Sequence, residues 1–160
     1  MIDFRRMETQ DLDFVWKLLN EKNNLKVLHI KPLNHDKIIE AYNNYWKDDP
    51  DELNYIIIIN DISIGWLKIN GLLGKNKKIW ISELIISENY QHQGNGTNAI
   101  KFVEKYAKEN GYKKICIMTQ DDNINAKLFY EKCGYKIIDQ KKGIANNEDE
   151  VINIVFQKII

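Results

Sequence analysis

A loop punctuated by two glycines, residues 91–96, constrains this chain more than any other segment. It lies between an apolar run, residues 79–86, and a segment with helical periodicity, residues 97–110. The first N–H groups of a helix have no partner within the helix, and the helix dipole adds partial positive charge at the same point. A glycine loop that opens a helix therefore binds phosphate groups well. The sequence predicts a strand–loop–helix unit that holds a phosphorylated ligand.

Composition and charge narrow the classes of function. The 160 residues are 44% apolar, which suffices for the core of one domain. Lys plus Arg and Asp plus Glu number 23 each, so no basic excess favours nucleic acid or an anionic membrane. No apolar run approaches the roughly 20 residues that a membrane span needs. We therefore expect one domain that binds neither nucleic acid nor membrane.

Cysteine usage and the N-terminus indicate the compartment. Cys116 and Cys133 form no CxxC pair and are expected to be reduced thiols. Residues 1–6 lack the apolar core of a signal peptide. No cluster of His, Cys and carboxylate residues has the spacing of metal ligands. These features predict a cytoplasmic protein without a metal.

Apolar periodicity predicts a mixed sheet with helices on its faces. The predicted strands are 2–6, 55–59, 62–69, 79–86, 115–119, 135–139 and 151–157. Helices are predicted over 11–21, from Asn34 through Trp46, over 97–110 and over 126–132, and Thr9 is expected to cap the first of them. Residues 23–34 and 141–150 are expected to be irregular. Asn60 and Asp61 predict a turn, and Gly65 a nearby bulge. Because a helix connects strands 79–86 and 115–119, these two strands are expected to be parallel.

The glycine loop allows two other interpretations. Residues 94–99 fit G-x-G-x-x-A, the dinucleotide-binding fingerprint, and Asp121 supplies an acidic residue after the next strand. However, the first glycine lies well beyond the predicted strand end, and an antiparallel meander precedes it. Too little chain remains for a doubly wound parallel sheet. The other alternative is a structural loop that binds no ligand.

A different pattern fits better, because two separate segments support it. Gln91, Gly94 and Gly96 match Gln/Arg-x-x-Gly-x-Gly/Ala after a strand. The downstream segment is Asn123-x-x-Ala126-x-x-x-Tyr130-x-x-x-Gly134-Tyr135. Together they resemble the signature segments of the GNAT superfamily of acyl-CoA-dependent N-acyltransferases, over about residues 56–135.

The resemblance implies a fold in the α/β (α+β) class and one N-acetyltransferase domain over residues 1–160. The fold is a mixed, mostly antiparallel central sheet of about six or seven strands, flanked by about four helices. A parallel, splayed strand pair lies at its centre.

The resemblance also implies acetyl-CoA as cosubstrate and assigns the residues that contact it. The pyrophosphate is expected on the loop, which comprises Gln91, His92, Gln93, Gly94, Asn95, Gly96 and Thr97. Backbone groups of Ile85 and Ile86 would bind the pantetheine arm, and one of their N–H groups would bind the thioester carbonyl. Asn123 matches a coenzyme-contacting asparagine, and its alternative role is a helix cap.

Two further residues carry the expected chemistry. Tyr130 matches the family's general acid, which protonates the leaving thiolate, and its usual pKa of ~10 keeps it protonated at neutral pH. The alternative is a tyrosine packed in the core. Glu83 lies where some members carry a base that acts directly or through water, and its apolar neighbours predict a pKa raised by burial. The alternative is an exposed carboxylate or a salt-bridge partner.

The predicted function is transfer of an acetyl group from acetyl-CoA to a primary amine by direct attack in a ternary complex. The acceptor is a small molecule, such as an aminoglycoside or polyamine, or a protein amino group. Acidic and aromatic residues over 42–52 suit a cationic amine, or form a solvated loop beside core aromatics. A non-catalytic acyl-CoA-binding module and a dinucleotide-binding enzyme are the alternative functions, and a homodimer is left open.

Overall fold

Seven strands form one mixed sheet in the computed structural model, which describes residues 1–160. The strands are β1 (Ile2–Arg6), β2 (Glu52–Ile59), β3 (Ile62–Asn70), β4 (Lys78–Ile86), β5 (Lys114–Gln120), β6 (Lys136–Ile144) and β7 (Glu150–Ile159). Their order across the sheet is β1-β2-β3-β4-β5-β7-β6. Every pairing is antiparallel except that of β4 with β5. The predicted mixed sheet with a central parallel pair is confirmed. A doubly wound parallel sheet is absent, which removes the structural basis for a dinucleotide-binding fold.

Five α-helices cover the two faces of the sheet. They are α1 (Leu12–Leu19), α2 (Lys22–Val27), α3 (His35–Ala41), α4 (Asn95–Glu109) and α5 (Ile124–Lys132). Helices α4 and α5 pack on one face, over a core that contains Val103 and Phe156. On the other face, α1 and α3 cover a second core that contains Trp66 and Ile85. None of the five is both long and apolar enough to cross a bilayer.

Two predictions about the N-terminal helices are wrong. Thr9 does not cap α1, because the chain first forms a 3-10 turn in which Asp11 accepts the N–H of Glu8 at 2.8 Å. The stretch 23–34 is not wholly irregular, because α2 occupies part of it. The predicted cap at Asn34 is confirmed, since its Oδ1 accepts the N–H of Asp36 at 2.9 Å.

The hairpin of β2 and β3 follows the sequence closely. Asn60 and Asp61 both have positive φ angles, 48° and 64°, as the predicted tight turn requires. The pairing register shifts between Ile57 and Ile58, which leaves an extra residue beside Gly65 and confirms the predicted bulge. A Cβ on Gly65 would lie 2.6 Å from the carbonyl oxygen of Ile85. Glycine at this position therefore allows β3 to approach β4 closely.

The parallel strands β4 and β5 separate after a short stretch of pairing. They are paired from Lys78 with Lys114 to Ile81 with Ile117, and no further. Beyond that point β4 pairs only with β3, and β5 only with β7. A bulge leaves Ser82 of β4 without an opposite residue where the strands part. The predicted splay is confirmed, and it opens the sheet at its centre.

Candidate active site

The separated strands open a cleft of about 630 Å³, which is a common size for a ligand pocket. Its walls come from β4, the end of β5, α5, the glycine loop and α2. All the predicted site residues except Gln93 and Asn95 line it. The lining set comprises Glu83, Ile85, Ile86, Gln91, His92, Gly94, Gly96, Thr97, Asn123 and Tyr130. Residues as far apart in the sequence as Glu83 and Tyr130 therefore contribute to one cleft.

The glycine loop presents a run of free main-chain donors. Six consecutive N–H groups, from His92 to Thr97, donate to no protein acceptor, and the first bond into the helix runs from Asn98 to Gly94 at 3.0 Å. His92 and Gly94 both have left-handed φ angles, 58° and 83°, which turn the chain into α4. The 15-residue helix adds its dipole at this end. The arrangement is suited to an anion such as a diphosphate.

Three amide side chains hold this loop in place. Gln91 donates to the carbonyl of Ile86 at 2.8 Å, which ties the loop to β4. Gln93 donates to the carbonyl of Asn89 at 2.9 Å. The buried Asn95 donates to the carbonyl of Tyr90 at 2.8 Å. The side chains of Gln93 and Asn95 therefore fix the loop, and only their main-chain N–H groups remain free toward a ligand.

Gly96 allows the loop to lie against α5. A Cβ at this position would approach Cζ of Phe129 to 3.1 Å, which is closer than most side-chain contacts. Asn123 begins α5 on the other side of the cleft, and its Oδ1 accepts the N–H of Ala126 at 3.2 Å. Asn123 is therefore a helix cap, and it also lines the cleft.

The exposed backbone edge of β4 supplies donors along the cleft. The N–H of Ser87, just after β4, donates to the carbonyl of Ile64 in β3 at 2.8 Å. Ser87 and Ile64 are therefore a hydrogen-bonded pair between the two chain segments. Since such pairs alternate along antiparallel strands, the main-chain groups of Ile85 also face β3. Those of Ile86 and Leu84 face the open side. Of the two predicted donors, Ile86 is therefore the one directed to the cleft, and the sequence prediction did not include Leu84.

Tyr130 lies on the α5 wall, buried except for 8% of its surface. Its ring packs against those of Phe129, Tyr135 and Phe156, with centroid distances of 5.3, 6.3 and 5.7 Å. Burial raises the pKa of the Tyr130 phenol above its usual value, and the nearby Glu83 raises it further. The phenol is therefore protonated at neutral pH and can act as a proton donor.

Glu83 lies half-buried in the β4 wall. Burial raises the pKa of its carboxyl to about 7, with the cation of Lys68 opposing the rise and the anion of Glu52 adding to it. Such a carboxyl exchanges protons near neutral pH, as a general base requires. Glu83 shares the sheet face of Ile85, whereas Tyr130 packs in the core on the opposite face. Both line the cleft, and the anion of Glu83 lies near enough to raise the pKa of Tyr130.

The acidic and aromatic region over 42–52 does not line the cleft. Asp51 instead accepts the N–H groups of Leu73 at 2.8 Å and Gly71 at 3.2 Å, and so organises the connection from β3 to β4. Tyr42 is buried in the core under α3. The interpretation of this region as an amine-binding surface is therefore not supported. Glu83 is the only carboxylate among the cleft-lining residues.

Helix α2, which the sequence prediction missed, forms the remaining wall and is held at both ends. Before it, Glu21 accepts the hydroxyl of Ser87 at 2.6 Å and the N–H of Glu88 at 3.1 Å. After it, the His29 imidazole lies 2.8 Å from carboxylate oxygens of both Asp122 and Asp149. Hydrogen bonds to these two carboxylates raise the pKa of His29. These contacts fix α2 beside the cleft.

The fold and the cleft together define an α/β protein in which a glycine loop with free main-chain donors lies beside a splayed strand pair. Residues 14–135 match the sequence model of the Acetyltransferase (GNAT) family. The chain belongs to this family and is an acyltransferase.

Individual relatives agree with this assignment. The chain is 29% identical over 137 residues to N-alpha-acetyltransferase 50 of Danio rerio, covering 82% of each chain. It is similar in structure to spermidine N-acetyltransferase from Vibrio cholerae in complex with CoA and spermine, with a TM-score of 0.85, 20% identity and coverage of 99% of this chain and 95% of that one. It also resembles ribosomal-protein-S18-alanine N-acetyltransferase from Escherichia coli, with a TM-score of 0.76, 15% identity and coverage of 100% and 94%. The two structural similarities show the shared fold.

Replacing Glu83 with Gln should reduce the dependence of stability on pH. The folded-state pKa of about 7 exceeds the ordinary value of 4.5, so folding favours the protonated form. Protonation of Glu83 therefore contributes to the free energy of unfolding. This contribution is fully present below about pH 4.5 and is lost as the pH rises through about 7. Urea unfolding between pH 4.5 and 8 should show wild type losing stability relative to Glu83→Gln over this interval.

The exposed Glu109 provides the control for this titration, since its side chain is 61% accessible. The Glu109→Gln variant should follow the wild-type pH profile. Parallel profiles for wild type and Glu83→Gln would show that Glu83 has an ordinary carboxyl environment.

Proposed function

We propose that this GNAT acetyltransferase transfers an acetyl group from acetyl-CoA to a primary amine, by direct attack within a ternary complex and as one domain over residues 1–160. The observation that carries the proposal is the content of the single cleft. Free N–H groups from His92 to Thr97 belong to its loop wall, and Glu83 and Tyr130 line the same cleft from β4 and α5. Binding and proton-transfer groups therefore converge on one space.

The residues present fit acetyl-CoA. Six unpaired N–H groups at a helix start match the charge and oxygen acceptors of a diphosphate. The Thr97 hydroxyl lines the same cleft and can add a donor. The unpaired edge of β4 offers main-chain groups to an extended, amide-containing arm, in the manner of an added strand. When bound, acetyl-CoA supplies the thioester whose carbonyl carbon the amine attacks.

Each protein group then has one part in the reaction, either stabilising charge, transferring a proton or positioning another group. The N–H of Ile86, on the open side of β4, donates to the carbonyl oxygen as negative charge develops there. Glu83 accepts the proton that the attacking amine loses, directly or through a water molecule. Tyr130 donates its proton to the departing thiolate. Asn123 caps the helix that carries Tyr130 and so fixes the position of the phenol.

The acceptor that suits this cleft is an amine with no further positive charge close to it in the same molecule. The α-amino group of a peptide is such an amine. The cleft contains only one carboxylate, Glu83. A polyamine would leave its other cations without partners, which is costly where they are desolvated. The neutral residues of the α2 and β5 walls are Asn23, Asn24, Val27, Leu28, Met118 and Gln120. The similarity to a protein named N-alpha-acetyltransferase 50 supports the same choice.

Gly94→Val should abolish coenzyme binding. The valine side chain would project into the space before the free N–H groups, since no protein atom lies within 4 Å of the Cβ position. Calorimetric titration with CoA should show loss of binding for this variant.

Gly111→Val is the matched control. Gly111 lies at the other end of α4, has a φ of +76° against +83° for Gly94, and is equally open. Both substitutions impose similar backbone strain, but only Gly94→Val alters the phosphate loop. Wild-type affinity for CoA in Gly94→Val would contradict the assignment of the loop.

Tyr130→Phe should reduce acetyl transfer by ~10²–10⁴-fold, the usual contribution of a proton donor, with CoA affinity nearly unchanged. Tyr135→Phe is the control, because its buried hydroxyl has no hydrogen-bond partner to lose. Turnover is measured as thiol release from acetyl-CoA. If wild type releases no thiol with any amine tested, the non-catalytic acyl-CoA-binding alternative replaces this proposal.

A screen of acceptors should favour a peptide with a free N-terminus and an apolar first residue, such as one beginning Met-Leu, over spermidine and an aminoglycoside. The reason is the uncharged wall of the cleft. The same peptide with a blocked N-terminus is the control and should release no thiol. Faster turnover of spermidine than of the peptide would contradict the proposed acceptor class.

A further inference from the structure

A nearly buried ion pair lies behind Glu83 on the sheet. Lys68 of β3 is the direct cross-strand partner of Glu83. Its Nζ lies 3.6 Å from Oε1 of Glu52, and the two side chains are only 11% and 10% exposed. Neither residue of this pair lines the cleft. The pair therefore cannot contact a bound substrate, and it can influence the reaction only through Glu83.

The surroundings of the pair strengthen its field. The Lys68 ammonium lies 4.3 Å from the ring centroid of Trp46 and 5.2 Å from that of Trp66. These rings exclude water from the cation, and a charge in a water-poor environment acts more strongly on its neighbours. The pair thus lies close to the carboxyl with little solvent screening.

Hydrogen bonds also fix the anion of the pair. Asn54 donates from its Nδ2 to Oε1 of Glu52 at 2.8 Å, and its Oδ1 accepts the indole N–H of Trp66 at 3.0 Å. The Glu52 carboxylate is therefore held by a buried neighbour as well as by Lys68. Its distance from Glu83 is set by the sheet rather than by a mobile side chain.

We propose that Lys68 and Glu52 are positioning residues that together set the proton affinity of Glu83, and with it the pH at which the enzyme can deprotonate the acceptor amine. This inference rests on the proposed base role of Glu83. The cation alone would hold Glu83 ionised and make it a weak base, whereas the anion alone would hold it protonated. Because the two charges oppose each other, the rise in the Glu83 pKa that burial causes persists, and the carboxyl exchanges protons near neutrality.

The other groups around Glu83 leave this balance to the pair. Tyr130 lines the cleft from α5 and is neutral at the relevant pH. Lys132 of α5 and His92 of the glycine loop also line the cleft, but neither is among the groups that shift the pKa of Glu83. Asp49, before β2, acts on Lys68. From α2, Asn23 and Asn24 face the cleft, and both are uncharged.

The test is a titration of the Glu83 carboxyl carbon by NMR in the ligand-free protein, with the signal assigned by its loss in Glu83→Gln. Lys68→Met should raise the titration midpoint by about one pH unit, since a nearby cation typically lowers a carboxyl pKa by that much or more. Glu52→Gln should lower it, because it removes a negative charge and keeps an acceptor for Asn54. Lys68→Arg should stay near wild type.

Lys78→Met is the matched control, because the Lys78 ammonium also lies over a tryptophan, 5.0 Å from the Trp80 centroid, but outside the cleft walls. It should leave the Glu83 midpoint unchanged. Opposite shifts in Lys68→Met and Glu52→Gln cannot arise from a general loosening of the fold. Shifts in the same direction, or none, would overturn the inference even if acetyl transfer is intact. If Lys68→Met does not fold, a lowered midpoint in Glu52→Gln together with a wild-type midpoint in Lys68→Arg supports the inference, and any other pair of results overturns it.

The rate of acetyl transfer to the Met-Leu peptide separates this inference from the proposed mechanism. The acid limb of its pH profile should move with the NMR midpoint, so that Lys68→Met loses up to about tenfold in rate below the midpoint. Opposite NMR shifts with an unmoved acid limb would remove Glu83 as the base, and with it the catalytic part of the inference.

Discussion

The site depends on hydrogen bonds that β4 and β5 do not form. Parallel strands at the centre of a sheet normally remain paired along their length, because unpaired main-chain groups in an interior are costly. Here pairing ends at Ile81 and Ile117, and the bulge at Ser82 marks the separation. The unpaired edge of β4 is left to interact with a ligand. The same separation places a group from each face of the sheet, Glu83 and Tyr130, along one cleft.

Burial shifts the pKa of Glu83 and the pKa of Tyr130 in the same direction, but the consequence for proton transfer differs between the two groups. It favours the neutral form of both and therefore raises both pKa values. For Tyr130 this reinforces protonation, as a proton donor needs. For Glu83 it brings the pKa from its ordinary range to about 7, where the carboxyl can accept a proton. One low-dielectric cleft thus contains both a protonated phenol and a carboxyl that exchanges protons near neutral pH.

Local sequence patterns predicted α4, the glycine loop and most of each strand, because each depends mainly on neighbouring residues. The loop predicted over 141–150 was wrong in part, since β6 runs to Ile144 and β7 begins at Glu150. Gly94 supplies the left-handed turn, and the periodic apolar residues after it define the helix. The positions of Glu83 and Tyr130 within one cleft followed from the family resemblance, and the structure places them there. The roles of these residues are proposals.

The sequence could not predict features that depend on tertiary contacts. Helix α2 has weak helix formers, Asn23 and Asn24, and it forms because Glu21 and His29 hold its ends. The acidic residues near position 50 suggested a binding surface, but Asp51 instead satisfies main-chain groups of a distant connection. The ion pair behind Glu83 joins β2 to β3, and no short motif predicts it. In each case the partner is remote in sequence.

The attachment of α2 has a mechanical consequence. One end is bonded to Ser87, a few residues before the glycine loop, and the other to Asp122, next to the cap of α5. Any displacement of α2 must therefore strain its contacts with both of these segments, which flank the cleft. The glycine-loop side and the α5 side of the cleft are thus connected mechanically through one short helix.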